Sequence, residues 1–228
     1  INAGTGNVNL ALAGGTSGNG LVTANALNLT AVANSSVNTT VNTVVANVSG
    51  SGNTLAIFQT GRDLNVASGA VRTNNGALTL DVSSPNNLTV TGNVSVGTAA
   101  VTLNAAGGAV NAPGLITAGT LNVAANSTSA LNTAIGTLNA NITGSGSSLN
   151  VTQSGNLTVG VGNVRTNNGA ISITTTNNGS LNRIGAINAG TGNVNLALAG
   201  GTSGNGLVTA NALNLTAVAN SSVNTTVN

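Results

Sequence analysis

The side chains that could carry acid–base or ionic chemistry are the two carboxylates, Asp63 and Asp81, and four arginines, because the 228-residue chain has no Lys, Glu, His, Cys, Met, Trp or Tyr. A pair of carboxylates across a sugar is the arrangement of glycosidases, and Asp63 and Asp81 are about one predicted coil apart. Neither recurs in the second half of the chain, where Asn156 and Thr174 hold the matching places. We therefore favour structural roles: Asp63 as a loop charge paired with Arg62, and Asp81 as a solvated residue at a strand end. The sequence predicts no catalytic residue and no enzyme.

Metal and phosphate sites are not expected either. Solenoids that bind Ca²⁺ carry Asp in every short repeat, whereas the glycine-rich turns here contain none. No helix start follows the GTG and GSG stretches, so they do not predict a phosphate loop. We predict no metal ion and no cofactor.

Two arginines recur at matched positions, because Arg72 and Arg165 each precede a TNNG sequence. One interpretation is a row of cations along one face that contacts an anionic glycan or surface. The other is a corner arginine that hydrogen-bonds turn carbonyls, and we favour it because single charges about four coils apart steer ligands weakly.

Asn-x-Ser/Thr sequences make glycosylation a second candidate modification of the surface. They are abundant in a chain this rich in Asn, Ser and Thr, so composition alone explains many of them. The candidate acceptors are Asn38, Asn47, Asn126 and Asn141.

The elements that position these residues form repeats within repeats. Residues 1–42 and 187–228 are identical, which defines a unit at 1–186 and the start of a next copy at 187–228. The unit contains two divergent halves of about 93 residues: VRTNNGALTL (71–80) matches VRTNNGAISI (164–173). We expect about four coils in each half. An insertion at TGRDL (60–64) predicts a loop around Arg62 and Asp63.

Pairs of the form apolar-x-apolar, such as Leu78/Leu80 and Ile171/Ile173, recur along the chain and indicate strands with one buried face. Their spacing of about 20 to 28 residues is that of one coil of a β-solenoid. The predicted fold class is all-β: one continuous parallel β-helix over 1–228, right-handed in preference to left-handed, with three short strands per coil. SALNTAIGTLNANI (129–142) has partly helical spacing, but its counterpart at 36–48 is β-branched, so both predict strand and turn.

Very few charges remain to cover the surface, with four Arg against two Asp. Nucleic-acid binding requires clustered Lys and Arg, so no nucleic-acid partner is expected. No apolar run has the length of a membrane span. Copies with such a surface can lie side by side without electrostatic repulsion, and we expect other copies of the chain as partners.

The stretches LNTAIGTLNANITGSGSSLNVTQSGNLTV (131–159), VRTNNGAISI and INAGTGNVNLAL resemble the repeats of filamentous haemagglutinin-like exoproteins of the two-partner secretion pathway. This resemblance implies a right-handed β-helical shaft, export across a Gram-negative outer membrane, an extracellular or cell-surface location, and roles in adhesion, aggregation or biofilm. The leading hypothesis is thus a structural section of a long surface fibre. The alternative is a solenoid module that recognises host or neighbouring-cell glycans along one face.

Overall fold

All strands of the computed structural model, which describes residues 1–227, belong to one parallel sheet, and these residues contain no α-helix. Val, Leu, Ile and Thr in period-2 alternation favour strands, and the Gly and Asn between them favour turns. The strands are β1 (Asn7–Ala11), β2 (Leu21–Thr23), β3 (Ala26–Ala31), β4 (Ser35–Thr40), β5 (Thr43–Ser51), β6 (Leu55–Gln59), β7 (Leu64–Asn74), β8 (Leu78–Val82), β9 (Leu88–Val90), β10 (Val94–Ser95), β11 (Ala100–Ala105), β12 (Val110–Ala125), β13 (Ser129–Ser145), β14 (Leu149–Ser154), β15 (Leu157–Asn167), β16 (Ile171–Thr176), β17 (Leu181–Arg183), β18 (Ile187–Asn188), β19 (Val194–Leu198), β20 (Thr202–Ser203), β21 (Leu207–Ala210), β22 (Leu213–Ala217) and β23 (Asn224–Val227).

Successive coils stack in register, so that residues directly above one another form columns along the rod. One column passes through eleven coils: Asn7, Ala26, Thr43, Asn65, Thr89, Asn111, Ala130, Asn150, Ser172, Asn195 and Asn214. At the spacing of hydrogen-bonded strands, this stack is about 50 Å long. The predicted β-solenoid is confirmed, and its handedness stays a prediction.

The interior is a continuous stack of aliphatic side chains. Alternation sends every second residue inward, as in β8 and β16, and Leu78, Leu80, Ile171 and Ile173 are at most 1% exposed. The segment 129–142 lies within β13 and alternates in the same way, which confirms its interpretation as strand.

The coils are shorter in places than the predicted 20 to 28 residues. Leu27 stacks on Val44 and Leu121 on Leu138, only 17 residues apart, while Ala46 and Val71 are 25 apart. The lower limit was wrong because the chain can turn a corner without a loop. At Gly136, for example, β13 continues from one face to the next.

Corners adopt the backbone angles that their sequences predict. Asn75 and Asn168, the second Asn of each TNNG, have φ of 57° and 63°, in the left-handed region that Asn tolerates. A side chain at the following residue, Gly76 or Gly169, would overlap a carbonyl of the coil below, which is why Gly is required there.

Ladders of polar side chains run along the outside of the rod. Asn25 Nδ2 donates to Asn7 Oδ1 at 3.4 Å, and Asn42 Nδ2 donates to Asn25 Oδ1 at 3.0 Å. The same ladder recurs in the second copy, where Asn211 Nδ2 donates to Asn193 Oδ1 at 3.2 Å. These contacts satisfy surface amides without using charge.

Candidate binding surface

Arg72 and Arg165 lie on different faces of the solenoid, so the hypothesis that they form one row of cations is wrong. The column of Arg72 runs through Ala11, Thr30, Asn47, Arg72, Ser95, Thr117 and Ala134. The column of Arg165 runs through Leu21, Asn38, Phe58, Asp81, Asn104, Ala124, Asn141, Arg165, Asn188, Thr209 and Thr226.

The number of coils in each repeat explains this separation. Asn195 lies nine coils from Asn7 in the same column. The repeat counterpart of Asn7 is Asn193, two residues earlier, so one 186-residue unit spans about nine coils. Half of nine is not a whole number, so a residue and its half-repeat counterpart fall on different faces. The expectation of about four coils per half was therefore low by about half a coil.

The two arginines also differ in their contacts. Arg165 Nε donates to Asn141 Oδ1 at 2.9 Å, in the coil below. Arg72 is exposed and its guanidinium makes no hydrogen bond within residues 1–227; it lines a groove of about 480 Å³, which we call the Arg72 groove. The corner interpretation, with an arginine bonded to turn carbonyls, fits neither residue.

A bulge in β7 forms one wall of the Arg72 groove. Val66 stacks on Val44 and Val71 on Ala46, so residues 67–70 are extra residues opposite Val45. The bulge rests on the Val45 side chain, which a Cβ at Gly69 would strike. Ala70 has φ of 68°, an unfavourable left-handed conformation for a residue with a Cβ, and such strain clusters at functional sites.

The carboxylates are not brought together. Asp63 lies in the predicted loop between β6 and β7 and accepts a hydrogen bond from the Asn87 amide nitrogen at 2.8 Å. Asp81, the penultimate residue of β8, accepts from Asn104 Nδ2 at 2.8 Å. Arg62 does not pair with Asp63 as expected, because its Nη1 donates to Asn42 Oδ1 at 3.1 Å.

The four candidate glycan acceptors lie on the outer side of the coils in different contexts. Asn47 is exposed on β5, and Asn38 is half-buried on β4 between Leu21 and Phe58. The other two are engaged: Asn126 Oδ1 accepts from Thr143 Oγ1 at 3.1 Å, and Asn141 accepts from Arg165. Asn47 is thus the most accessible acceptor.

Sequence reasoning missed the polar residues that lie inside the rod. Gln59 and Gln153, each 1% exposed, occupy matched positions in the two halves. Gln153 Oε1 accepts from Thr133 Oγ1 at 2.8 Å, and its Nε2 donates to the Ile135 carbonyl at 2.9 Å. The signal was the recurrence of a glutamine at an inward position in IFQTG and VTQSG.

Arg183 is fully buried at an inward position of β17. Its Nε donates to Thr202 Oγ1 at 3.2 Å, and its guanidinium also donates to the carbonyls of Gly204, Gly206 and Ser222, which ties three coils together. Burial lowers the pKa of Arg183 below its ordinary value by desolvation, although a guanidinium keeps its proton at neutral pH. Alignment of the halves places Val90 at this position, which marks it as interior.

The fold defines the class of the molecule: a parallel β-solenoid with tandem sequence repeats. The chain matches no protein-family model, no curated protein and no solved structure. Residues 1–227 contain no group of three or more His, Cys, Asp or Glu side chains that could hold a metal ion. The same part of the chain has no helix with the length and apolar character needed to cross a bilayer.

Proposed function

We propose that the chain is a section of the shaft of a long surface fibre, secreted by a Gram-negative bacterium and serving adhesion, aggregation or biofilm formation. The observation that supports this most directly is the match between the sequence period and the coils. Nine coils after Asn7 the chain is back on the same face, at Asn195, two residues beyond the repeat counterpart Asn193. Side chains alternate between the two sides of a strand, so a shift of two residues leaves inward residues inward. A unit with this property can be repeated without altering the core.

The strands of each coil pair only with strands of the adjacent coils, so the rod lengthens as units are added. Repetition without assembled acid–base chemistry fits a mechanical role and not a catalytic one. Of the six charged side chains in the sequence, Arg183 is buried, so the outer surface of Asn, Thr and Ser bears only five, and copies can pack side by side without repulsion. Lateral association of such rods would produce a matrix or sheath.

Rod length measured against repeat number tests the proposal. Proteins with one, two and three copies of residues 1–186 would be compared by small-angle X-ray scattering. Each added unit is expected to lengthen the particle by about 43 Å, from nine coils at the strand spacing, with a constant cross-section. Compact particles whose cross-section grows with copy number would contradict a continuous shaft.

Surface location is tested separately on intact cells of the source bacterium. Antibodies against the chain are expected to label thin filaments of uniform width in electron micrographs. Labelling that requires permeabilised cells would refute secretion but would not contradict the proposal that the chain forms a solenoid shaft.

The second candidate function is glycan recognition along one face. The row of arginines that suggested it is not present, because Arg72 and Arg165 lie on different faces. What favours it now is a single feature, the Arg72 groove, and its ligand is a question independent of the shaft.

A further inference from the structure

The Arg72 groove has the size and polarity of a small-ligand site. Its volume of about 480 Å³ lies within the range of about 300–1,000 Å³ that ligand pockets span. It lies between the bulge of β7 and the segment that joins β9 to β10, and Arg72 is one of its lining residues. Ser95 lies directly above Arg72 in the next coil.

Hydrogen-bond donors converge on this groove. The Arg72 guanidinium and the hydroxyls of Ser68 and Ser95 make no side-chain hydrogen bonds to residues 1–227. Asn93 Oδ1 accepts from the Leu115 amide nitrogen at 3.1 Å, which leaves its Nδ2 as a further donor. No carboxylate lines the groove, so its charge is positive.

The second half of the unit provides a natural comparison. The matching bulge, residues 160–163, carries Val161, which is 83% exposed, and the Gly162 amide nitrogen donates to Asn139 Oδ1 at 3.1 Å. Arg165 is held by Asn141. The same local sequence, VRTNNG, therefore presents a guanidinium without a hydrogen bond to residues 1–227 at Arg72 and one that is bonded through its Nε at Arg165.

From these features we infer that the Arg72 groove binds one carboxylate-bearing sugar residue of an acidic polysaccharide. A guanidinium pairs with a carboxylate through two parallel hydrogen bonds. The groove is larger than a carboxylate alone and its lining is hydroxyl, amide and glycine backbone, which suits a sugar ring and its hydroxyls better than an apolar ligand. The site would occur once per 186-residue unit, on one face.

The test uses the whole 228-residue chain and a trimer of galacturonic acid, with the fully methyl-esterified trimer as the neutral control of the same shape. Isothermal titration and amide chemical shifts of Arg72 and Ser95 report binding. We expect a Kd on the order of 1 mM for the acid and at least tenfold weaker binding of the ester. Arg72→Gln is expected to weaken binding by about 10- to 100-fold, the effect of a hydrogen-bonded charge.

Arg165→Gln is the matched control and is expected to leave the affinity within twofold of the parent chain. Ser95→Val narrows the groove without changing charge and is expected to weaken binding at least tenfold, so it decides the matter if Arg72→Gln fails to fold. Equal binding of acid and ester, an equal loss in Arg165→Gln, or no shift with the acid at about ten times the expected Kd would overturn the assignment. Inorganic sulfate that shifts Arg72 while the trimer does not would overturn it as well, since the site would then hold a free anion and no sugar.

Discussion

Replacing Gln153 by Leu removes a side chain whose amide is hydrogen-bonded on both its oxygen and its nitrogen inside the rod. Gln153 Nε2 donates to the carbonyls of Ile135, Ser154 and Asn156 at 2.9 to 3.0 Å, and its Oε1 accepts from the Ile135 amide nitrogen at 3.3 Å. Gln153 Oε1 also accepts from Thr133 Oγ1 at 2.8 Å, a hydroxyl that keeps the Thr152 carbonyl at 3.2 Å as a second acceptor. Leucine has a similar volume but no polar atoms, so it preserves the packing and deletes only the bonds of the glutamine amide.

The magnitude follows from which partners stay buried. Ser154 and Asn156 are exposed, and water can replace the glutamine there. Ile135 is 4% exposed, and its N–H and C=O both lose a partner that water cannot replace. Each unsatisfied buried group costs about 1–3 kcal/mol, so we expect unfolding of this coil to become easier by about 2–6 kcal/mol.

Amide hydrogen exchange is the appropriate assay, because long solenoids need not unfold in one step. The Ile135 amide is expected to lose protection in Gln153→Leu, with urea unfolding followed by circular dichroism as the global measure. Gln59→Leu should produce the same loss at Val41, whose amide nitrogen donates to Gln59 Oε1 at 3.2 Å. Thr152→Val, on the exposed side of β14, should stay within about 0.5 kcal/mol of the parent. A change below about 1 kcal/mol for Gln153→Leu would refute the reasoning.

Two further substitutions test the corners and the buried cation. Gly169→Ala is expected to destabilise the rod by more than about 2 kcal/mol in urea unfolding, because the new Cβ would overlap the Ser147 carbonyl. Gly20→Ala is the control and should be tolerated, since the space around Gly20 is open. Similar unfolding midpoints for the two variants would contradict the close approach at Gly169. Arg183→Met is expected to cost about 2–6 kcal/mol, since two buried acceptors, Thr202 Oγ1 and the Gly206 carbonyl, lose their donor. Limited proteolysis should then cleave after residue 202 sooner than in the parent, and an unchanged cleavage pattern would exclude a role in tying the coils.

The sequence by itself was sufficient to predict the solenoid. Period-2 alternation in pairs such as Leu78/Leu80 specifies strands with one buried face, and Asn75 before Gly76 specifies a corner, because both are local effects of side-chain size and backbone freedom. The loop at Arg62 followed from the length difference between the halves. These inferences needed no knowledge of which coil lies above another.

Only the tertiary structure decided which side chains meet. Arg72 and Arg165 share a local sequence, yet the half-repeat spans a fractional number of coils and places them on different faces with different neighbours. Asp63 and Asp81 are close in sequence but point to separate partners, Asn87 and Asn104. Coil length varies between 17 and 25 residues, and the register accumulates these differences along the rod. Which residues of two coils come into contact depends on the summed lengths of all the coils between them, and no local sequence pattern specifies that sum.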